Sequence, residues 1–259
     1  MSKIKNILEN KVPCKSIWFM RQAGRYLPEF RKIRLENKNF IKLCLNSELS
    51  SEITLQPIKR FDLDAAIIFS DILMVPYALG QDVRFTSDHG PELSEFNPKI
   101  FSQNTNKDFV KKLYPIYKAI EITRKKLKSS KSLISFIGAP WTLLVYMFGL
   151  KKDKELVNHK ILQKKTPLIS EIMDELVDYL CLHIKNQIDA GADVVQIFDS
   201  WAGLIPENDI IKLCFNPSSR IIKFCRKEKI SSICFPKGIK DKYKEFNNFV
   251  KPDGINIDF

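Results

Sequence analysis

Long apolar runs are missing from this sequence of 259 residues: no stretch of about 18 apolar residues occurs, which excludes a membrane-spanning helix. The first ten residues are polar and mixed, without the apolar core of a cleaved secretory signal. Histidine is scarce, with three residues, and none of the six cysteines forms a C-x-x-C pair. Zinc-finger and dithiol redox motifs are therefore excluded, and we expect reduced thiols, a cytoplasmic location and no metal site.

Glycine-rich motifs are missing as well. The sequence has no P-loop, no G-x-G-x-x-G after its first apolar run and no G-x-S-x-G nucleophile motif. No lysine stands in a recognisable Schiff-base setting. Any catalysis would therefore use arginines, carboxylates and hydroxyls together with the electric field of the site.

Positive charge is in excess, with 42 Lys and Arg against 30 Asp and Glu, a net charge of +12. Such an excess can indicate binding of nucleic acid, of a membrane surface or of a polyanionic ligand. It can also reflect a composition rich in Lys, Ile and Asn. The lysines are spread along the chain rather than gathered in one arm, which favours the compositional interpretation, and we expect neither nucleic acid nor membrane as a partner.

Short apolar runs alternate with longer segments of helical periodicity, which is typical of parallel β/α units. We predict one domain over residues 1–259, built as an open doubly wound sheet or as a (β/α)8 barrel. The absence of G-x-G-x-x-G weakens the first. The predicted strands are Ile17–Met20, Ala65–Phe69, Leu133–Ile137, Val194–Phe198, Ser232–Phe235 and Ile255–Phe259, with Val83–Phe85 as a short peripheral strand.

Three helices are predicted with particular features. Ser47–Lys59 opens with a capped first turn, Phe109–Leu127 carries Pro115 as a possible kink, and Thr166–Ala190 has one long apolar stripe that ends before Gly191. His183 lies on that stripe, so we expect a satisfied core histidine rather than a ligand.

Polar and glycine-containing clusters follow five of the predicted strands. In a barrel the chemistry is built at the C-terminal ends of the strands, so these clusters predict one common rim. They are Arg21–Tyr26, Ser70–Leu73, Gly138–Thr142, Asp199–Gly203 and Pro236–Gly238.

Several residues of these clusters have alternative roles. Arg21 and Arg25 could bind an anion, since guanidinium pairs bidentately with carboxylates. They could also be surface charges or partners of a nearby acid such as Glu29. Asp71 could cap the next helix or accept hydrogen bonds from ligand N–H groups. Tyr146 is by default a core tyrosine. Ser200 could cap a helix, and the adjacent Trp201 could be core packing.

Together these clusters resemble the uroporphyrinogen decarboxylase family of haem biosynthesis. The segment Ile17–Phe30 is similar to the N-terminal signature of the family almost letter for letter. Ile68–Leu73, Gly138–Thr142 and Phe198–Gly203 match further blocks in the right order. The similarity runs from about residue 15 to the end of the sequence.

The resemblance implies a (β/α)8 TIM barrel that removes the four acetate carboxyl groups of uroporphyrinogen III to give coproporphyrinogen III, without cofactor or metal. It implies that Arg21 and Arg25 hold substrate carboxylates, with Arg34 a weaker candidate. Asp71 would accept the pyrrole N–H groups at the centre of the macrocycle, and Arg21 would be the candidate proton donor. Tyr146 and Ser200 would bind acetate or propionate groups. Gln22, Ala23 and Gly24 would complete the binding loop.

The sequence also departs from the family pattern. Six predicted strands stand where a barrel needs eight, no helix follows Ile255–Phe259, and a late Asn-Leu-Gly-His-Gly block of the family is absent. We therefore expect an incomplete barrel that lacks its last strands. The family is generally homodimeric. Alternatives are an inactive tetrapyrrole-binding fragment and a corrinoid-linked methyltransferase of the same superfamily, although the His-x-Cys zinc ligands of the latter are missing.

Overall fold

Helices and parallel strands alternate along the computed structural model, which describes residues 2–10, 14–86, 90–153, 156–157 and 159–258. The helices are α1 Lys3–Asn10, α2 Pro28–Glu36, α3 Phe40–Cys44, α4 Ser47–Arg60, α5 Met74–Ala78, α6 Pro98–Ser102, α7 Asn106–Lys126, α8 Pro140–Met147, α9 His159–Asp189, α10 Asn216–Lys227 and α11 Tyr243–Val250. The strands are β1 Ala65–Ile67, β2 Val83–Thr86, β3 Gly90–Leu93, β4 Ser132–Gly138, β5 Lys151–Asp153, β6 Leu156–Val157, β7 Val194–Asp199, β8 Ser231–Pro236 and β9 Gly254–Ile255.

Five of these strands form one parallel sheet in the order β1-β4-β7-β8-β9. Each pair of neighbours in sequence within this sheet is joined through a helical segment, which is the repeated β/α unit that the apolar runs predict. Within the described residues the sheet stays open at β1 and β9 and does not close into a barrel. The strands are almost entirely buried because both faces of the sheet are covered.

Side chains alternate between the two faces of the sheet, as they must in a β-strand. One face packs against helices such as α7, α9 and α10 in the largest apolar cluster. The opposite face forms a second cluster with α1, which we call the floor because it lies toward the N-terminal ends of the strands. The floor consists of Ile4, Leu8, Ala65, Ile67, Ile134, Val194 and Ile233.

Polar contacts fix α1 against the floor. The backbone N–H of Ile4 donates to the hydroxyl of Ser132 at 3.0 Å, and the hydroxyl of Ser231 donates to the carboxylate of Glu9 at 3.0 Å. Lys3 Nζ lies 2.9 Å from Asp64 Oδ1. The second carboxylate oxygen of Asp64 accepts the backbone N–H of Ile17 at 2.7 Å. Asp64 therefore joins α1 to the start of the segment that carries Arg21.

The prediction of a strand at Ile17–Met20 is wrong. The segment is irregular, and its backbone hydrogen bonds explain why: Ile17 accepts from Asp64 N at 2.9 Å, but the N–H of Phe19 donates to the side chain of Gln22 instead of to a neighbouring strand. Ile17 and Phe19 are each 60% exposed. The apolar run therefore belongs to a surface loop and not to a buried strand with a hydrogen-bonded neighbour.

The predicted helices are present with shifted ends. α4 is capped by Asn46, whose side chain accepts from Leu49 N at 3.1 Å, rather than by Ser47. Pro115 lies within one continuous α7, and α9 begins before the predicted Thr166. Val83–Phe85 belongs to β2, which pairs antiparallel with β3 outside the main sheet, as expected for a peripheral strand. The predicted last strand is reduced to β9, and Phe259 lies outside the described residues.

Candidate active site

The predicted rim residues lie at the C-terminal ends of the parallel strands and in the loop before α2. Asp71 follows β1, Tyr146 lies in α8 after β4, and Ser200 follows β7. Desolvation raises the pKa values of both Asp71 and Tyr146, and the positive charge of Arg21 opposes that rise in both. Residues separated by 50 or more positions in sequence are thus electrostatically coupled at one edge of the sheet. We call Arg21, Asp71, Tyr146 and Ser200 the rim.

Asp71 is the half-buried carboxylate of the rim. Desolvation raises its pKa to about 6, although a backbone hydrogen bond from Leu73 and the charge of Arg21 act in the opposite direction. The Leu73 N–H donates to Oδ1 at 2.9 Å, so one oxygen does serve the turn, as the capping alternative holds. Within the described residues no hydrogen bond reaches Oδ2, which leaves an acceptor for a ligand.

The binding loop is shaped by Gln22. Its side-chain oxygen accepts the Phe19 N–H at 3.0 Å, and its backbone carbonyl accepts the hydroxyl of Tyr26. Gln22 is buried, whereas the flanking Arg21 and Arg25 are exposed, and Ala23 and Gly24 are half-buried between them. A Cβ on Gly24 would meet only the ring of Tyr26, at 3.6 Å. The loop is therefore tied down by the contacts of Gln22 and presents two guanidinium groups to solvent.

The alternative partner for these arginines has another role. Glu29 forms a bidentate pair with Arg60, at 2.7 and 3.0 Å, so an ion pair of Glu29 with Arg21 or Arg25 is wrong. The weaker candidate Arg34 also has local partners, since it donates to the carbonyls of Asn37 and Lys38. Its guanidinium carbon lies 5.5 Å from the ring centre of Phe40.

Tyr146 is half-buried at the last turn of α8. Burial raises its pKa, the charge of Asp71 raises it further, and the charge of Arg21 opposes the rise. The default of a core tyrosine therefore describes its ring but not its hydroxyl. The hydroxyl of Tyr146 interacts electrostatically with the charges of both Arg21 and Asp71.

Ser200 is exposed in the turn that follows β7. This turn packs closely against the turn after β8: the Gly203 N–H donates to the carbonyl of Lys237 at 2.9 Å. A Cβ on Gly203 would lie 2.6 Å from the carbonyl oxygen of Gly238, so any side chain there would force the two turns apart. The close approach fixes the backbone that carries Ser200.

Asp199 and Thr142 belong to the site but had no role in the sequence prediction. The Thr142 hydroxyl donates to Asp199 Oδ1 at 2.6 Å. Burial raises the pKa of Asp199 to about 6 against hydrogen bonds from Thr142 and Cys214. A carboxylate that directly follows a buried strand and a threonine in the first turn of an apolar helix were the available signals, but neither indicates which face the side chain occupies.

A small cavity of about 10 Å³ lies behind Asp71, lined also by Ser70, His183 and Gln187. Its size is at the lower limit for one water molecule. His183 hydrogen-bonds to the Tyr117 hydroxyl at 2.9 Å, and burial lowers its pKa to about 3. It is a satisfied, neutral core histidine, as predicted.

Metal ligands do not cluster in the part of the chain that the structure describes, where no group of three or more His, Cys, Asp or Glu side chains could hold an ion. His89 lies outside that part. The six cysteines are free thiols, four of them buried. Among the described residues, no helix combines the length and the hydropathy that crossing a membrane requires.

Sequence comparisons match this chain to one family. The family described as uroporphyrinogen decarboxylase (URO-D) matches residues 4–259. A uroporphyrinogen decarboxylase of Rickettsia bellii is 43% identical over 257 residues, covering 97% of this chain and 74% of that protein. One of Orientia tsutsugamushi (strain Ikeda) is 42% identical over 250 residues, covering 94% of this chain and 72% of that protein.

The fold also matches a solved structure. A methyltransferase from Methanosarcina mazei superposes with a TM-score of 0.71, covering 98% of this chain and 81% of that one, at 15% sequence identity. At that identity the likeness concerns the fold alone. It confirms the predicted α/β fold of the TIM-barrel type, left open in the described residues of this chain.

Proposed function

The chain belongs to the uroporphyrinogen decarboxylase family, and on that premise we propose that it removes the acetate carboxyl groups of uroporphyrinogen III to yield coproporphyrinogen III. The observation that carries the proposal is the rim itself. An exposed arginine, a half-buried carboxylate and a tyrosine hydroxyl act on one another at the C-terminal edge of the sheet, where barrel enzymes build their active sites.

The substrate carries eight carboxylates around a ring of four pyrroles, so its periphery and its centre make opposite demands. Carboxylates at the periphery pair with guanidinium groups, the proposed role of Arg21 and Arg25. Tyr146 and Ser200 donate hydroxyl hydrogen bonds to acetate or propionate groups. The pyrrole N–H groups at the centre need an acceptor, and Oδ2 of Asp71 is available for them. Gln22, Ala23 and Gly24 supply the loop backbone.

Decarboxylation needs an electron sink, and the substrate contains one. Protonation of the pyrrole carbon next to the acetate-bearing carbon gives a cation that accepts the electron pair released as CO₂ departs, which leaves an exocyclic methylene. A proton then adds to the methylene to form the methyl group, and the ring carbon loses the proton it gained, which restores the pyrrole. Asp71 stabilises this cation through the ring nitrogens while it is ionised. A carboxylate fixed in a desolvated setting does so more strongly than one in water, because the local dielectric constant is low.

Arg21 is the proposed proton donor by position, since its charge acts on both Asp71 and Tyr146. A guanidinium group is a weak acid, with a pKa above ~12. Arg21 would give its proton to the ring carbon before CO₂ departs and would regain a proton when that carbon is deprotonated and the pyrrole is restored. The residues of the chain supply all of these steps in this proposal.

We further propose that residues 1–259 form one domain, that the chain works in the cytoplasm and that it assembles as a homodimer. The free thiols in the described residues are compatible with a reducing compartment. The relatives' name supports a small-molecule substrate.

The decisive experiment incubates the purified chain with uroporphyrinogen III without oxygen and follows the seven-, six-, five- and four-carboxylate products by chromatography. Stepwise formation of coproporphyrinogen III is the expected result. A folded, monodisperse sample that binds the substrate without turnover would instead support the tetrapyrrole-binding alternative. A methyltransferase would need zinc ligands at the strand ends, and the described residues offer no such group.

A further inference from the structure

At the rim end of the sheet the side chain of Gln187, from α9, takes the place of β1 beside β4. β1 ends at Ile67. The N–H of Ser132 faces β1, since it donates to the carbonyl of Asp64 at 3.0 Å, and every second N–H of a strand points to the same side. The N–H of Phe136 therefore also faces the β1 side, where it donates to Oε1 of Gln187 at 3.3 Å.

This contact fixes which way the amide group of Gln187 is turned. A backbone N–H is a donor only, so the atom that meets Phe136 must be the carbonyl oxygen of the amide. The NH₂ group then points away from Phe136. Gln187 is 1% exposed, and its Nε2 atom is buried without a hydrogen-bond partner in the part of the chain that the structure describes. A buried donor of this kind is stable only with an acceptor beside it.

The cavity behind Asp71 has room for that acceptor. Its volume is about 10 Å³, and Gln187, Asp71, Ser70 and His183 are among the residues that line it. A buried water molecule needs about this volume and about two to four polar partners. The amide of Gln187, the carboxylate of Asp71 and the hydroxyl of Ser70 provide them. The cavity is too small for a larger ligand.

From this geometry we infer that the cavity is the site of one ordered water, which accepts a hydrogen bond from Nε2 of Gln187 and donates one to the carboxylate of Asp71. Gln187 is thereby a positioning residue for Asp71. The inference rests on the proposed function for what Asp71 does at the rim. The water approaches the carboxylate from the side of α9, so it remains when a substrate covers the rim and excludes solvent there. A hydrogen bond to the ionised form of a carboxylate favours that form.

The titratable groups around Asp71 allow its own titration to be recognised. Arg21 acts on it from the loop before α2. Cys44 on α3 and Tyr146 on α8 also interact with its charge, and burial raises the pKa values of both, so both are neutral near pH 7. His183 on α9 is neutral as well, because burial lowers its pKa to about 3. None of these three changes charge between pH 4 and pH 7.

The test compares Gln187→Met with Gln196→Met. Gln187→Met keeps the length of the side chain but removes the donor to the water, so the proton affinity of Asp71 should rise roughly tenfold and its pKa accordingly, the effect of about one hydrogen bond. Gln196 is the matched control, because it is also buried with an unpaired amide. It lies two positions after Val194 and thus on the floor face of β7, so Gln196→Met should leave the titration of Asp71 unchanged.

The titration is read without turnover from the carboxyl ¹³C signal of Asp71 in protein labelled at aspartate. Asp71→Asn assigns that signal by removing it. The lost contact with Phe136 should lower the stability of Gln187→Met, but a purely structural role would not move this titration. Where turnover is measured, the acidic limb of the kcat/KM profile should move to higher pH by the same amount.

A crystal structure of the wild-type chain is a second measurement, which does not depend on the folding of any variant. It should show a water within hydrogen-bond distance of both Nε2 of Gln187 and a carboxylate oxygen of Asp71. A side chain in that position, an unmoved Asp71 titration in Gln187→Met, or an equal shift in Gln196→Met would overturn the inference. If the titration moves as expected but the wild-type chain does not turn over uroporphyrinogen III, the proposed function fails, and the link from Gln187 to Asp71 stands.

Discussion

The two ends of the parallel sheet carry aspartates in opposite electrostatic states. At the floor end of β1, burial would raise the pKa of Asp64, but hydrogen bonds from Lys3 and Ile17 outweigh it and the pKa is lowered. At the rim end of the same strand, desolvation prevails and the pKa of Asp71 is raised to about 6. A few residues thus separate a carboxylate that stabilises the fold from one that is available to a ligand.

β7 repeats the comparison. Before it, Asp193 pairs with Arg124 at 3.0 Å and accepts the Leu133 N–H at 2.8 Å. After it, Asp199 is buried with a pKa of about 6 and has hydroxyl, thiol and amide partners instead of a cation. The aspartates before the strands are therefore paired and stabilise the fold, whereas those after the strands have raised pKa values and no paired cation among the described residues.

The largest effect that would sharpen this contrast concerns activity. Asp71→Asn should lower turnover by about 10²–10³-fold, the usual loss when a preorganised electrostatic group is removed, because the amide cannot stabilise a cation. Asp64→Asn, the matched change at the floor end, should lower the midpoint of urea unfolding but keep turnover per folded molecule. Near-normal turnover in Asp71→Asn would remove the central role given to this residue.

The next effect concerns stability at the floor. Leu8→Ala should reduce the free energy of unfolding by about 2–3 kcal/mol, within the range of buried leucine deletions, and leave KM unaltered. Leu35→Ala, at a leucine that is 75% exposed, is the control and should change little. A loss of substrate affinity in Leu8→Ala, measured on folded protein, would show that floor and rim are not separable.

The pH dependence of the two properties should run in opposite directions. Since the pKa of Asp71 rises from 3.8 to about 6 on folding, the folded state binds more protons than the unfolded state between these values, and the free energy of unfolding falls as pH rises through them. Turnover needs the ionised form and should rise over the same interval.

Asp71→Asn isolates this contribution. Its unfolding free energy should exceed that of the wild type by on the order of 2 kcal/mol at pH 7 and by little at pH 4, measured by urea unfolding. Equal differences at both pH values would mean that Asp71 titrates as an ordinary exposed carboxyl group.

The smallest effect belongs to the exposed ion pair of the floor. Lys3→Gln removes a partner of Asp64, but the lysine is well solvated, so the unfolding midpoint should shift only slightly and less still in high salt. Lys5→Gln, on the same helix, is the control. A shift as large as that of Leu8→Ala would contradict the view that apolar packing dominates this end.

Sequence predicted the central strands well because a strand covered on both faces is a continuous apolar run. β4, β7 and β8 lie within a residue or two of their predicted ends. The same criterion failed at Ile17–Met20, where an apolar run forms an exposed loop, since periodicity does not reveal whether a neighbouring strand is there to pair with it. The strands β3, β5 and β6 offered little apolar signal, because Pro91 and charged residues interrupt them or lie beside them.

The rim was predictable in position but not in its contacts. Strand-end clusters indicated Arg21, Asp71 and Ser200. The contacts of these clusters join residues far apart in sequence: Glu29 pairs with Arg60, and the backbone of Trp201 is hydrogen-bonded to Trp141 and Thr142. Alternation along β7 could have shown that Asp199 and Ser200 face opposite sides of the sheet. No feature of the sequence alone shows that Thr142 lies beside them.

The bond from Ser231 to Glu9 spans 222 positions, so α1 can complete its packing only after β8 has been made. Contacts between residues so far apart in sequence form slowly, because the entropy of closing a long loop is lost before the contact stabilises the chain. α1 should therefore dock late, after the transition state for folding. Weakening it, as in Leu8→Ala, would then hasten unfolding in stopped-flow traces while leaving the refolding rate nearly intact.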